Sequence, residues 1–358
     1  MLDELLQALD ADRPVVWCRL VETRGSTPQK AGATMLVFES GAQAGTLGGG
    51  CVEAEVKRKA LAALHDHRTE IARFQLDSDY GWDDGLICGG RMLVLIQPVR
   101  RGSPGEHYFR RFHATIAARE GVTEIIRFEE KAGLPAPAQW LVDGQGKPIA
   151  SLAESSTLPA DAMHLLKGLA SRPRPYVAHG FSYLPHLSRC PLLIVGGGHV
   201  GQAVGNLAAD LDFDVWVVDD RAEYVSPERF PKAQRRLAGR FEEVLPSLEI
   251  TPDTYCLIVT RGHNHDELAL FHLAERGARY VGMIGSKRKI RLIMDDLRQE
   301  GVSSAALDAV FAPVGIDIGS QTVPEIAVSI CAELVAHRNC EGVVPRRWAD
   351  DVVAGGPD

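Results

Sequence analysis

Long apolar runs are missing from this sequence. Nowhere in its 358 residues do the ~18 consecutive apolar residues of a membrane-crossing helix occur, so no membrane span is expected. The opening residues, Met1-Leu2-Asp3-Glu4, are acidic and lead into no apolar stretch, so no signal peptide is expected either. Cysteine is scarce: seven residues, at 18, 51, 88, 190, 256, 331 and 340, none spaced as C-x-x-C. An odd, scattered set excludes a disulfide framework and a local zinc knuckle, and it reads as a reducing, cytoplasmic setting. Positive charge is in deficit, 39 Lys and Arg against 47 Asp and Glu, for a net charge of −8. That argues against nucleic acid as a partner and against an anionic membrane surface. Internal repeats and low-complexity tracts are absent. So are G-x-S-x-G, H-E-x-x-H and G-x-x-x-x-G-K-[ST], which removes the signatures of common hydrolases, zinc proteases and P-loop enzymes.

What is present suits a globular chain of about two domains, with 45% hydrophobic and 24% charged residues. Residues 1–100 are Gly-rich and predict an α+β domain. It has strands over 15–21 and 33–38, a helix over 52–65 that lacks Gly and Pro, and a strand over 92–96 ended by Pro98. Residues 101–190 are irregular and punctuated by proline, with a linker over 172–191. Residues 191–340 alternate apolar strands with helical patterns, which predicts an α/β, Rossmann-like parallel sheet. Its strands fall at 192–195, 215–218, 255–260, 280–284 and 309–311, and its helices at 199–210, 266–276, 287–299 and 324–337. The last helix opens on a capping box, Thr322 to Glu325. Residues 341–358 form a tail.

Within the α/β part, Gly196-Gly197-Gly198-His199-Val200-Gly201 fits G-x-G-x-x-G, with Gly196, Gly198 and Gly201 in the key positions. The pattern follows a short apolar strand and opens a helix, the context in which glycines allow a tight turn and close approach to a phosphate. The N–H groups of that helix, starting at His199, then face the anion. Asp219 follows at about the ~20-residue spacing of a ribose-binding acid, and Arg221 beside it suits an extra phosphate instead.

Two more segments follow strands and open helices. In Thr260-Arg261-Gly262-His263-Asn264-His265-Asp266, the side chains of His263, His265 and Asp266 are expected at the carboxyl end of the sheet, where ligands of open α/β folds bind. The plainer reading has Asp266 capping the helix and His263 bonding within its loop. Gly285-Ser286-Lys287-Arg288-Lys289 puts three cations at a helix start, against the helix dipole. This suits either an anionic ligand at Ser286 and Lys287 or a solvated basic face.

In the N-terminal part, Gly48-Gly49-Gly50-Cys51-Val52-Glu53 sets a cysteine at a helix start, where unpaired N–H groups favour a thiolate. Cys88-Gly89-Gly90 holds a second Gly-flanked cysteine. Cys51 and Cys88 together suggest a thiol-lined pocket for sulfur or a soft metal; the alternative for each is a small buried hydrophobe. Arg24-Gly25-Ser26-Thr27-Pro28 offers a guanidinium and two hydroxyls on a turn, suited to an oxyanion.

These segments, with Gly282-Met283-Ile284-Gly285-Ser286-Lys287-Arg288 and Pro313-Val314-Gly315-Ile316-Asp317-Ile318-Gly319, resemble the xanthine dehydrogenase accessory factor family of the XdhC/CoxI type over about 11–100 and 190–340. The resemblance implies a cofactor chaperone rather than an enzyme. Such a factor carries molybdenum cofactor (molybdopterin), supports its sulfuration by a cysteine desulfurase, and inserts it into a xanthine dehydrogenase-type molybdenum hydroxylase apo-enzyme; it works as a homodimer. The residues it implies for cofactor binding are Gly196, Gly198, His199, Gly201, Asp219, Arg261, His263, Ser286, Lys287 and Arg24, with Cys51 and Cys88 near molybdenum or carrying sulfur. The competing class is an NAD(P)-dependent oxidoreductase built on the 196–201 loop. Against it, no proton donor or Ser/Tyr–Lys arrangement accompanies the loop. A third class is a sulfur carrier working through Cys51.

Overall fold

The apolar run that begins at Val15 becomes a central strand, β1 (Val15–Arg24), whose first eight residues are all buried. The computed structural model describes residues 1–76, 90–130, 135–340 and 342–344, and the chain divides into two units, Met1–Ser188 and Arg189–Asp358. In the N-terminal unit α1 (Leu2–Asp10) precedes β1, which pairs antiparallel with β2 (Thr34–Phe38) and β5 (Gly90–Val99). With β3 (Gln43–Gly45) and β4 (Glu70–Leu76) this gives a five-stranded sheet of order β3-β2-β1-β5-β4. The helix α2 (Gly50–Asp66) buries Val52, Val56, Ala60, Ala63 and Leu64. Their three- and four-residue spacing makes one apolar stripe, which packs with Val16, Cys18 and Leu20 of β1. Val15 and Trp17 alternate to the other face and meet α1 and α3 (Pro104–Ala117).

The stretch read as irregular holds a second antiparallel sheet. Its strands are β6 (Val122–Arg127), β7 (Ala138–Asp143), β8 (Pro148–Leu152), β9 (Tyr176–Ala178) and β10 (Phe181–His186), in the order β8-β7-β6-β10-β9, with α4 (Ala160–His164) between β8 and β9. Most of its prolines lie between strands, and Pro148 opens one, so the punctuation marks strand ends rather than disorder.

A buried polar cluster links β1, β6, β10 and α3. Arg19, 4% exposed, lies 3.1 Å from Glu124, and its guanidinium also contacts Thr34 and His186. Tyr108 donates to Glu124 at 3.3 Å. Arginine only donates, so Nε2 of His186 is the acceptor and carries no proton. Burial, then the Arg19 charge, holds this imidazole well below its ordinary range. A folded value below the unfolded one of about 6.5 means that the folded state binds fewer protons in that window. Stability therefore falls on acidification, by up to about 1.4 kcal/mol per pH unit between the two values. Denaturation midpoints measured from neutral pH downward are expected to show this slope, and His186→Gln, which keeps an acceptor, is expected to flatten it. An unchanged slope in the variant would rule the cluster out as its source.

In the C-terminal unit the elements alternate: β11 (Cys190–Val195), α5 (His199–Asp210), β12 (Phe213–Asp219), β13 (Arg235–Ala238), α6 (Phe241–Ser247), β14 (Tyr255–Ile258), α7 (His263–Leu273), β15 (Tyr280–Met283), α8 (Lys287–Gln299), α9 (Ser304–Asp308) and α10 (Val323–Asn339). The sheet is parallel, ordered β13-β12-β11-β14-β15. The expected α/β class is borne out. Leu192 and Ile194 pack on the side that carries α5 and α10; Leu193 and Val195 pack against α6, α7 and α8. The strand expected at 309–311 is only a single bridge, Phe311 to Gly282. The strand order reverses between β11 and β14, which opens a crevice at their carboxyl ends. Among the described residues no helix is long and apolar enough to cross a membrane.

Candidate functional site

At that crevice lies a cleft of about 440 Å³, lined among others by Gly196, Gly198, His199, Asp219 and Arg261. The glycines of the loop have different reasons to be glycine. Gly196 has φ +112°, and a Cβ there would stand 2.6 Å from the Val259 carbonyl oxygen. At Gly201 a Cβ would meet the Gly196 carbonyl oxygen at 2.0 Å, so helix and strand touch backbone to backbone. Gly198 is unlike both. Its φ is an ordinary −62°, and apart from its own chain neighbours nothing lies within 4 Å of where its Cβ would be. The packing does not require glycine there, and the position opens onto the cleft. Gly198 is also the N-cap of α5, with no side-chain cap and no acid in the first turn, so the N–H groups of that turn stay available to an anion.

Asp219 serves the loop. It is 2% exposed, and both its oxygens are engaged. Oδ2 accepts from the Gly197 N–H at 2.8 Å, and Oδ1 from the Arg221 N–H at 3.0 Å and its Nε at 2.9 Å. Burial opposes ionisation, but these bonds hold its carboxyl below the usual range. The Arg221 guanidinium carbon in turn lies over the Tyr224 ring, 3.5 Å from its centroid. Arg229 donates to the Gly197 carbonyl at 2.9 Å. The more exposed carboxylate facing the cleft is Asp220, which accepts from Arg261 at 2.8 Å. Asp220, Tyr224 and Arg229 carry no sequence motif; the run Asp219-Asp220-Arg221 at a strand end was their one visible signal.

α8 starts at Lys287 as expected, but α7 starts at His263, three residues before the expected 266. The N-cap of α7 is Gly262. Asp266, fully buried in its first turn, accepts from the Thr260 N–H at 3.1 Å and hydroxyl at 2.5 Å, and pairs with Lys289. One of the three cations at 287–289 thus answers an internal charge. Ser286 caps α8 by accepting from the Lys289 N–H, and Ser286 and Lys287 are exposed. His263 is near Glu267 and Asp296; His265 lines the cleft.

In the N-terminal unit three motifs converge. A Cβ at Gly48 would strike Pro28 at 2.6 Å, and one at Gly90 the Ser26 carbonyl oxygen at 2.2 Å. Gly48 and Gly90 therefore pack directly on the 24–28 turn. Arg24 donates to the buried Glu22 at 2.8 Å, and Arg91 holds the other Glu22 oxygen at 2.7 Å. Cys51 sits in the first turn of α2, half-buried. Glu53 fixes the loop before it, accepting from the Leu47 and Gly49 N–H groups at 3.0 and 2.9 Å. Cys88 lies outside the described residues.

Comparison with known proteins agrees with this two-unit layout. Residues 8–75 match the model of the XdhC and CoxI family, and residues 192–334 match the XdhC Rossmann domain. YqeB of Escherichia coli (strain K12) is 28% identical over 91% of this chain, which spans only 44% of that relative's length. A Bacillus subtilis (strain 168) protein, named as a probable subunit of xanthine dehydrogenase, is 26% identical over 96% of this chain and 98% of its own. The molybdenum cofactor insertion chaperone PaoD of E. coli (strain K12) is 25% identical over 93% of this chain and 86% of its own. A solved structure from Bacillus halodurans, described as a xanthine dehydrogenase, shares the fold with TM-score 0.76 at 24% identity over 94% of each chain. With both domain models matched, and more than half of its residues inside them, the chain belongs to the XdhC and CoxI family.

Proposed function

We propose that this chain is a cofactor chaperone: it binds molybdenum cofactor, supports its sulfuration, and inserts it into a xanthine dehydrogenase-type molybdenum hydroxylase. The observation that carries the reading is Gly198, an N-cap glycine whose position opens onto the cleft and whose packing does not require glycine. Family membership and the name of the PaoD relative give the ligand class. The cofactor's phosphate suits the uncapped start of α5 at His199, with Gly196 and Gly201 shaping the loop, Asp219 bracing it and Arg261 at the rim. Ser286 and Lys287, exposed at the start of α8, are the next polar groups for an anionic end. Within the N-terminal unit, Cys51 at the start of α2 and Cys88 are assigned to carrying sulfur or, as thiolates, to a soft metal. Arg24 is assigned to an oxyanion, with Glu22 as its internal counter-charge. A cysteine desulfurase is the sulfur donor and an apo-hydroxylase the recipient; a homodimer in the cytoplasm suits both. The oxidoreductase reading is weaker, because the acid it needs for a ribose hydroxyl already accepts from Gly197 and Arg221.

The test is anaerobic retention of molybdopterin through gel filtration, read by pterin fluorescence, with NAD(P) in parallel. Wild-type chain is expected to retain pterin and not NAD(P). Gly198→Ala is expected to lose less than about 1 kcal/mol of stability yet weaken retention at least tenfold, since its methyl enters the cleft. Cys51→Ala is run in the same assay for the thiol's share. NAD(P) bound without pterin would sink the chaperone reading, and Gly198→Ala retaining pterin normally would remove the cleft from it.

A further inference from the structure

Away from the cleft lining, the first turn of α7 and the third turn of α8 bring together an imidazole and two carboxylates. His263 and Glu267 are one turn apart on the same helix face, and Asp296 comes from α8. His263 Nε2 is 3.3 Å from Glu267 Oε2 and 3.9 Å from Asp296 Oδ2, and one ligand atom from each of the three lies within 4.8 Å of the others. We propose that His263, Glu267 and Asp296 form a site for a borderline divalent cation of the Zn²⁺ class.

Three observations support it. The first is distance. Ligands held at ~2.0–2.2 Å from a tetrahedral zinc stand about 3.4 Å apart, so these groups need only small rotamer changes to share an ion. The second is charge. Two carboxylates face one imidazole, and among the described residues neither has a Lys or Arg partner. Asp266, by contrast, is turned inward to Thr260 and Lys289 and takes no part. The third is access. The side chains are 37%, 24% and 50% exposed, which leaves room for water at the remaining positions of a three-ligand site. One nitrogen and two oxygens suit zinc, cobalt or manganese rather than a soft thiophilic ion. A bound ion ties the start of α7 to α8 and so braces the segments that follow β14 and β15. It serves the protein whether or not cofactor is present, and it does not depend on the chaperone reading.

The full chain, stripped with EDTA, is titrated with Zn²⁺ and separately with Co²⁺, with heat of binding, thermal midpoint and the cobalt visible spectrum recorded. One ion per chain is expected, with a raised midpoint and a cobalt spectrum lacking a thiolate charge-transfer band. His263→Ala and Asp296→Asn are expected to weaken binding at least tenfold while their metal-free midpoints match wild type. Should His263→Ala fold poorly, Asp296→Asn at its exposed position carries the test alone. Absence of stoichiometric binding, equal binding by the variants, or a thiolate band that assigns the ion to cysteine would each overturn the site. Pterin retention measured on the metal-free chain keeps this result separate from that of the chaperone reading.

Discussion

Gly201→Ala is expected to cost the C-terminal unit about 3 kcal/mol or more, a large effect for one added methyl group. The added carbon would lie 2.0 Å from the Gly196 carbonyl oxygen and 3.4 Å from Ile194 Cγ2. The first of these is backbone, held by the Gly196 N–H bond to the Val218 carbonyl. No side-chain rotation relieves the overlap, so α5 must lift from β11 and loosen the core behind Val204 and Ala208. Alanine's better helix propensity returns only ~1 kcal/mol. Urea unfolding followed by far-ultraviolet dichroism measures the loss. A variant within ~1 kcal/mol of wild type would mean that the contact relaxes cheaply and that the glycine is not there for packing. Set beside Gly198→Ala, three positions away, it separates a glycine the fold requires from one it does not.

Arg19→Met should be comparably damaging in the N-terminal unit, at about 3–5 kcal/mol. The guanidinium and the Glu124 carboxylate are 5% and 0% exposed, and the 3.1 Å contact between them is an ion pair rather than an aligned hydrogen bond. Methionine fills the volume but leaves the carboxylate buried against Tyr108 with no cation. Burial already pushes this carboxyl up, with Arg19 as the main opposing influence. Without Arg19 the folded value rises further above the unfolded one, so the folded state binds the extra proton and the loss grows as pH rises. Arg19→Met with Glu124→Leu, which removes both charges, is expected to recover much of the stability. Equal losses in the single and double variants would show that the pair's charge is not what matters.

These results bear on how far the sequence could be read. The periodic helices at 199–210 and 287–299 were legible to the residue, because a Gly or Ser cap and a polar break bound each of them. The strand Arg235–Ala238 was not, since it carries two arginines and lies at the sheet edge, where only neighbours reveal a strand. The antiparallel sheet of 122–186 was hidden for a related reason: Thr123, Glu124 and Arg127 are buried in β6 through tertiary partners that no local pattern announces. In the cleft, the glycines and Arg261 could be found from the loop and the strand ends. The hold of Arg229 and Tyr224 on the loop could not, because Arg229 reaches the Gly197 carbonyl from 32 residues along the chain, a separation set only by the fold.

That hold has a kinetic meaning. The Gly197 N–H is taken by Asp219 and its carbonyl by Arg229, so the loop stands in one shape before any ligand arrives. A site that spends no entropy on ordering itself gains affinity chiefly as slow departure, since encounter is already near what docking geometry allows. For a protein whose proposed task ends in giving its cargo away, slow departure is the difficulty. Release then calls for a push from the recipient, and the bonds it would have to strain are those from Asp219 and Arg229 to Gly197.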